Sequence, residues 1–187
     1  MSVSPWQLRR AAHLLRRGGV IACPTEAVYG LSCDPLDAAA VLRLLALKQR
    51  PLEKGLILVA SDAAQLDPFI QPLSADMQAR VLSSWPGPAT WLVPARAETP
   101  AWLRGTHDTL AVRVTAHPLM RALCTQFGGA LVSTSANPSG RPPARNAISV
   151  RRYFDARLDA ILCGALGGAA RPTAIRDARD GTWIRPA

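Results

Sequence analysis

The sequence predicts an α/β layered domain, a twisted mixed sheet flanked by helices. Three observations carry that expectation. Short apolar runs alternate with amphipathic stretches of helical spacing along the whole chain, the pattern of strands and helices stacked in layers. Short strand candidates crowd the C-terminal part, which favours mixed over all-parallel pairing. No linker-like tract interrupts the alternation, so residues 1–187 read as a single domain.

The elements follow in order. Ser4-Pro5 reads as an N-cap and a first-turn proline, opening a helix that ends at Gly18-Gly19. Val20–Cys23 is a short buried strand stopped by Pro24. Asp37 caps a second helix in which Val41, Leu44, Leu45 and the stem of Lys48 share one face, and Pro51 ends it. Leu56–Ala60 is an apolar run of strand length. Ser74 caps a helix reaching Ser84, and Thr90–Val93 and Leu110–Val114 are strands. A helix from Pro118 to about Phe127, a strand at Ala130–Ser133 and a helix at Ala147–Phe154 come next. Asp159–Cys163, Thr173–Ile175 and Thr182–Ile184 are the short C-terminal strands.

Composition bounds the function. A chain that is 49% hydrophobic and 19% charged is globular rather than disordered. The formal net charge of +9 favours polyanionic partners such as nucleic acid, nucleotide or pyrophosphate, although scattered surface arginines would also keep a protein soluble. The amphipathic N-terminus lacks the apolar core and cleavage site of a signal peptide, and no apolar run has the length of a membrane span. A cytoplasmic protein with no membrane association is expected. Cys23, Cys33, Cys124 and Cys163 form no CxxC pair, so buried, reduced thiols are expected rather than a zinc site. Three histidines make a histidine-rich metal site or a Ser-His-Asp triad improbable, and no metal site is expected.

Polar groups concentrate in four stretches that follow apolar strands, where ligands bind in open α/β sheets. In PTEAVYGLSCD, Thr25 and Glu26 could orient the amine or hydroxyl of a small polar substrate, or Thr25 could simply cap a strand-to-helix connection. In KQRPLEKG, Lys48 and Arg50 end a helix. Lys48 and Lys54 are the only lysines among 22 basic residues. Cations at a helix C-terminus are favourable in themselves, but an ammonium beside a guanidinium fork also suits phosphate groups. SWPGPATW reads as a rigid turn with packing tryptophans. LVSTSANPSGRPPARNA ends a strand in three hydroxyls and an amide, followed by Arg141 and Arg145, a set suited to phosphate oxygens and a carboxylate. GxSxG and GxxxxGK[ST] are both absent, so neither a serine hydrolase elbow nor a P-loop is indicated.

Taken together and in this order, PTEAVYGLSCDP, LKQRPLEKGLIL, WPGPAT, LAVRV, LVSTSANPSG and IRDARDG…IR resemble the YrdC-like family of threonylcarbamoyl-AMP synthases, nearly throughout the chain. The resemblance implies a single YrdC-like domain with a basic concave surface. It implies condensation of L-threonine, bicarbonate or CO2, and ATP to threonylcarbamoyl-adenylate and pyrophosphate, with Mg2+ accompanying ATP. Proteins related to TsaD, TsaB and TsaE would then transfer the threonylcarbamoyl group to adenosine beside the anticodon of tRNA, with contact to tRNA itself also expected. By the same resemblance, Lys48 and Arg50 are the catalytic, phosphate-binding pair of a KxR motif. Thr25, Arg113, Ser133 and Thr173 are threonine-binding positions, with Arg113 pairing with the substrate carboxylate. Ser135, Asn137, Arg145 and Arg185 join Lys48 and Arg50 in binding ATP.

The chain departs from the family pattern at Ser32, which stands where relatives carry glycine, and at Gly55-Leu56, where proline-leucine is common. It also has only aliphatic residues over Ile57 to Val59, where many relatives place a histidine. The extra C-terminal domain of longer relatives is not expected. The competing reading is an RNA-binding module that grips phosphates without catalysis. Net charge fits both readings; the hydroxyl clusters of PTE and STSAN favour the enzyme.

Overall fold

The computed structural model describes residues 3–171 and 173–186. Helix α1 (Pro5–Arg16) opens with a capping box, the Ser4 hydroxyl accepting from Gln7 N while the Gln7 side chain accepts from Ser4 N. Strand β1 (Ile21–Pro24) is followed directly by β2 (Tyr29–Ser32). Asp37 caps α2 (Ala38–Lys48), which ends on Gln49 in the left-handed region. Then come β3 (Ile57–Ala60), α3 (Ala75–Leu82), β4 (Ala89–Pro94), a single helical turn α4 (Ala101–Arg104) and β5 (Thr109–Val114). Helix α5 (Pro118–Phe127), β6 (Leu131–Ser135), α6 (Ala147–Phe154), β7 (Ala160–Ile161), β8 (Ala174–Asp177) and β9 (Trp183–Arg185) complete the order.

The strands form one sheet in the order β7-β1-β2-β6-β3-β5-β4-β8-β9. Pairing is parallel at β1–β7, β3–β5 and β4–β8 and antiparallel elsewhere, so the sheet is mixed as expected. Among the described residues no helix is long and apolar enough to cross a membrane.

Two corrections concern the first polar stretch and the fourth. Tyr29–Ser32 is strand rather than loop. It pairs with β1 on one side and with β6 on the other, so PTEAVYGLSCD is largely a hairpin. Thr134 and Ser135 lie inside β6 rather than after it, because Gly30 and Leu31 supply the ladder partners that extend the strand past Ser133. Both extensions depend on the pairing of β2 with β6, which is remote in sequence.

The sheet buries its two faces differently. On one face Ala22, Leu31, Leu58, Leu110 and Val112 pack with Leu44 of α2, Val81 of α3 and Phe154 of α6. On the other, Ile21, Cys23, Val59 and Leu131 pack beneath α1 and α5. Side chains alternate across a strand, so Ile57 shares the face of Val59, and Ser133 and Ser135 share the face of Leu131. The α1–α5 layer therefore covers one end of this face and leaves the other end open. The tryptophans flanking the Pro-Gly turn pack as expected: Trp85 and Trp91 are buried, and Trp91 Nε1 donates to Ser84 Oγ at 2.9 Å.

Candidate active site

The open end of that face holds a cavity of about 430 Å³. Its floor is a row across four adjacent strands, Ser133 of β6, Ile57 of β3, Ala111 of β5 and Leu92 of β4, each registered opposite the next. Gly30 extends the floor on β2; a Cβ there would stand 3.3 Å from Thr25 Cγ2 and 3.4 Å from Thr134 O, narrowing the space between those strands. The walls come from Thr25, Arg50, Lys54, Arg113, Thr173 and Arg185. The site thus lies on the sheet face, built from strand side chains as much as from the loops beyond them.

Arg113 is buried. Its Nη1 donates to Thr173 Oγ1 at 2.8 Å, and its Nη2 lies 3.4 Å from Glu26 Oε2. Burial pushes this guanidinium below the ordinary arginine range, and the charge of Glu26 opposes that shift. Thr173 is a node: Thr90 Oγ1 is 3.3 Å from its hydroxyl, and Arg185 Nη2 donates to its carbonyl at 2.8 Å. Arg185 is also pushed down, by burial and then by Arg113. Arg50 follows the same rule through burial and Arg185, and its fork is held by the carbonyls of Lys54 and Gly55 at 3.0–3.3 Å. Burial lowers all three arginines, Arg113 bears on Arg185 and Arg185 on Arg50, and their convergence on one cavity creates a positive potential suited to an anion. Thr25 closes a tight turn, its hydroxyl donating to Val28 O at 2.8 Å.

The cavity collects Thr25, Arg50, Arg113, Ser133, Ser135, Thr173 and Arg185 from the sequence-derived set. Lys48, Asn137 and Arg145 are not among the lining residues. Lys48, expected to face phosphate, is buried, and its ammonium donates to Ser135 O, to Asn137 O at 3.0 Å and to Asn137 Oδ1 at 3.4 Å. Burial, then the neighbouring Arg50, lowers its pKa to about 8. The Asn137 amide is spent locally, donating to Pro138 O and Arg141 O. Arg145 is exposed and reaches Ala170 O at 3.4 Å.

Sequence reasoning missed Arg104 and His107, which line the mouth beside Lys54. The signal was faint: an arginine that ends a one-turn helix just before a glycine. Gly105, at φ 63°, lets that turn lie on the Lys54 turn, where a Cβ would stand 2.2 Å from Glu53 O. Among the described residues no group of three acidic, histidine or cysteine side chains could hold a metal ion. The free cysteines Cys23, Cys33 and Cys124 are buried and Cys163 is exposed.

Comparison with known proteins agrees with this architecture. A family model for the Sua5/YciO/YrdC domain, described as "Telomere recombination", matches residues 13–187. A threonylcarbamoyl-AMP synthase of Halorhodospira halophila is 58% identical over 181 residues, 97% of this chain and 95% of that protein. One from Stutzerimonas stutzeri is 54% identical over 185 residues, covering 99% and 100%. Among solved structures, P. abyssi Sua5 complexed with L-threonine superposes with a TM-score of 0.92 at 30% identity; the whole of this chain matches 55% of that one. E. coli YciO, at 23% identity and a TM-score of 0.81, shares the fold. The chain belongs to the Sua5/YciO/YrdC family.

Proposed function

We propose that this protein is a threonylcarbamoyl-AMP synthase, joining L-threonine, bicarbonate or CO2, and ATP into threonylcarbamoyl-adenylate with release of pyrophosphate. The observation that carries the reading is the single cavity wall on which a buried arginine, two further arginines and a set of hydroxyls converge. More than half identity to synthases over nearly their full length supports the same activity.

The chemistry needs no protein nucleophile. The threonine amine, once deprotonated, attacks the carbon of CO2, or of bicarbonate with loss of water, and forms a carbamate. A carbamate oxygen then attacks the α-phosphorus of ATP, and pyrophosphate leaves. Arg113 pairs with the threonine carboxylate, and Thr25 and Ser133 flank it. Arg50 and Arg185, with Lys54 and Arg104 at the mouth, face the polyphosphate and neutralise the charge that grows on the leaving pyrophosphate. Lys48 acts from behind, fixing the backbone at Ser135 and Asn137. The lining residues include hydroxyls but no carboxylate. They fit a magnesium ion carried by the triphosphate better than one held by the protein, since protein-held magnesium ordinarily takes one or two carboxylates. Such an ion would supply charge neutralisation on the phosphates.

In this reading the adenylate passes to transferase proteins related to TsaD, TsaB and TsaE, and its threonylcarbamoyl group ends on tRNA. The test is mass spectrometry of the product formed from ATP, threonine and labelled bicarbonate. The expected result is threonylcarbamoyl-adenylate carrying the label, with one pyrophosphate per product. Salt-sensitive RNA binding with no such product overturns the reading in favour of a non-catalytic RNA module.

A further inference from the structure

Behind the cavity wall sits one carboxylate that the reaction above does not use. Glu26 is buried, and it is the acidic partner of Arg113. Neither Arg50 nor Arg185 has an acidic partner within ion-pair distance among the described residues. Glu26 Oε1 accepts the hydroxyl proton of Thr115, while Oε2 accepts no hydrogen bond and faces Arg113 Nη2 at 3.4 Å. Arg113 Nε likewise has no hydrogen-bond partner among the described residues.

A gain in stability does not account for such a pair, because desolvating two charges roughly cancels their attraction unless every donor and acceptor is satisfied. Here each partner keeps an uncommitted atom. The backbone of Glu26, by contrast, is closely fixed. Ala169 N donates to its carbonyl at 2.9 Å, and Gly167 N donates to Thr25 O at 3.0 Å. Gly167 sits so close that a Cβ on it would stand 2.9 Å from Glu26 Cα. A rigidly mounted carboxylate that engages its arginine at one edge leaves the guanidinium donors on the cavity side for another carboxylate.

We infer that Glu26 is a positioning residue for the amino-acid substrate: anchored by Thr115, it sets the plane of the Arg113 guanidinium together with Thr173, so that the arginine meets the substrate carboxylate. The inference rests on the assignment of Arg113 to the threonine carboxylate. Glu26 touches neither substrate. It offsets a buried positive charge while the site is empty and holds the guanidinium still when threonine enters.

The experiment measures the KM of threonine and of ATP, with kcat, for wild type, Glu26→Gln and Thr115→Val. Glu26→Gln is expected to raise the threonine KM by about tenfold or more while the ATP KM stays within about twofold. Thr115→Val keeps both charges and removes the anchor, along with the bond the hydroxyl accepts from His117 N at 3.1 Å; it should raise the threonine KM in the same selective way by a smaller factor. If Glu26→Gln fails to fold, Thr115→Val decides. An unchanged or lowered threonine KM, or equal rises for both substrates, overturns the role of Glu26 and leaves the synthase reading standing. A wild-type protein without threonine-dependent turnover overturns both.

Discussion

The ammonium of Lys48 and the carbonyl oxygen of Asn137 stand 3.0 Å apart, joining the C-terminus of α2 to the loop after β6. The link is returned in the other direction, because Ser139 N donates to the Lys48 carbonyl at 2.7 Å. A lysine expected to reach phosphate thus spends its donors on the backbone beside the cavity.

Lys48→Ala should abolish adenylate formation, as the sequence pattern already suggests, but it should not leave stability untouched. Removing the ammonium strands buried carbonyls, a loss of about 1–3 kcal/mol. Turnover assays and thermal melts check both parts. Unchanged turnover overturns the assignment of Lys48 to the site.

The same group makes stability depend on pH. Folding lowers the Lys48 pKa from 10.5 to about 8, so between those values the unfolded chain binds more protons than the native one. Stability contributed at this position therefore rises with pH across that window, by at most about 1.4 kcal/mol per pH unit. Denaturant unfolding of wild type and Lys48→Met from pH 7 to 10.5 should show the difference growing in favour of wild type.

Arg113→Ala leaves Glu26 buried without its counter-charge. A loss of about 3–5 kcal/mol is expected, together with loss of threonine binding. Arg113→Lys keeps the charge but not the fork, so it should fold better than the alanine variant and still bind threonine poorly. Calorimetric titration with threonine, beside thermal melts, separates the two effects.

Gly105→Ala should spread the mouth of the cavity. Its Cβ would meet the Glu53 carbonyl at 2.2 Å, and its φ of 63° disfavours any side chain. Expected are a loss of about 1–3 kcal/mol and a raised KM for ATP, because the turns presenting Lys54 and Arg104 can no longer touch. Steady-state kinetics with ATP varied reads the second effect.

Thiol reactivity should report the burial directly. Desolvation pushes Cys23 up to about 12 and raises Cys33 and Cys124 as well, while Cys163 is exposed. A colorimetric thiol reagent at neutral pH should label Cys163 quickly in the native protein and all four cysteines after denaturation.

Much of the fold was legible because its signals are local. Ser4, Asp37 and Ser74 each cap the helix their sequence context announces, and the apolar runs at residues 57–60, 89–94 and 109–114 form strands. Strand β2 was not legible, since Tyr-Gly-Leu-Ser between two prolines carries turn chemistry and becomes strand only through β1 and β6. The site was legible in its residue types rather than its geometry. Thr25, Arg113 and Ser133 line the cavity, but nothing local says that the Lys48 ammonium is committed to the carbonyls of Ser135 and Asn137 or that Arg104 joins the lining.

The sequence by itself determined the layered α/β class, the five longer helices but not the single turn α4, the basic character and the family, because caps, periodicity, charge and ordered motifs are properties of short stretches. The tertiary structure alone decided which residues meet. Strand order departs from chain order, so Ser133, Ile57, Ala111 and Leu92 become one row, and Thr173 and Arg185 arrive from the far end of the chain beside Arg113. It also decided that Glu26 lies behind Arg113 rather than inside the cavity. Which way a side chain faces, and against what charge it is buried, follows from sheet register and from the layer packed above it; a single stretch of sequence contains neither.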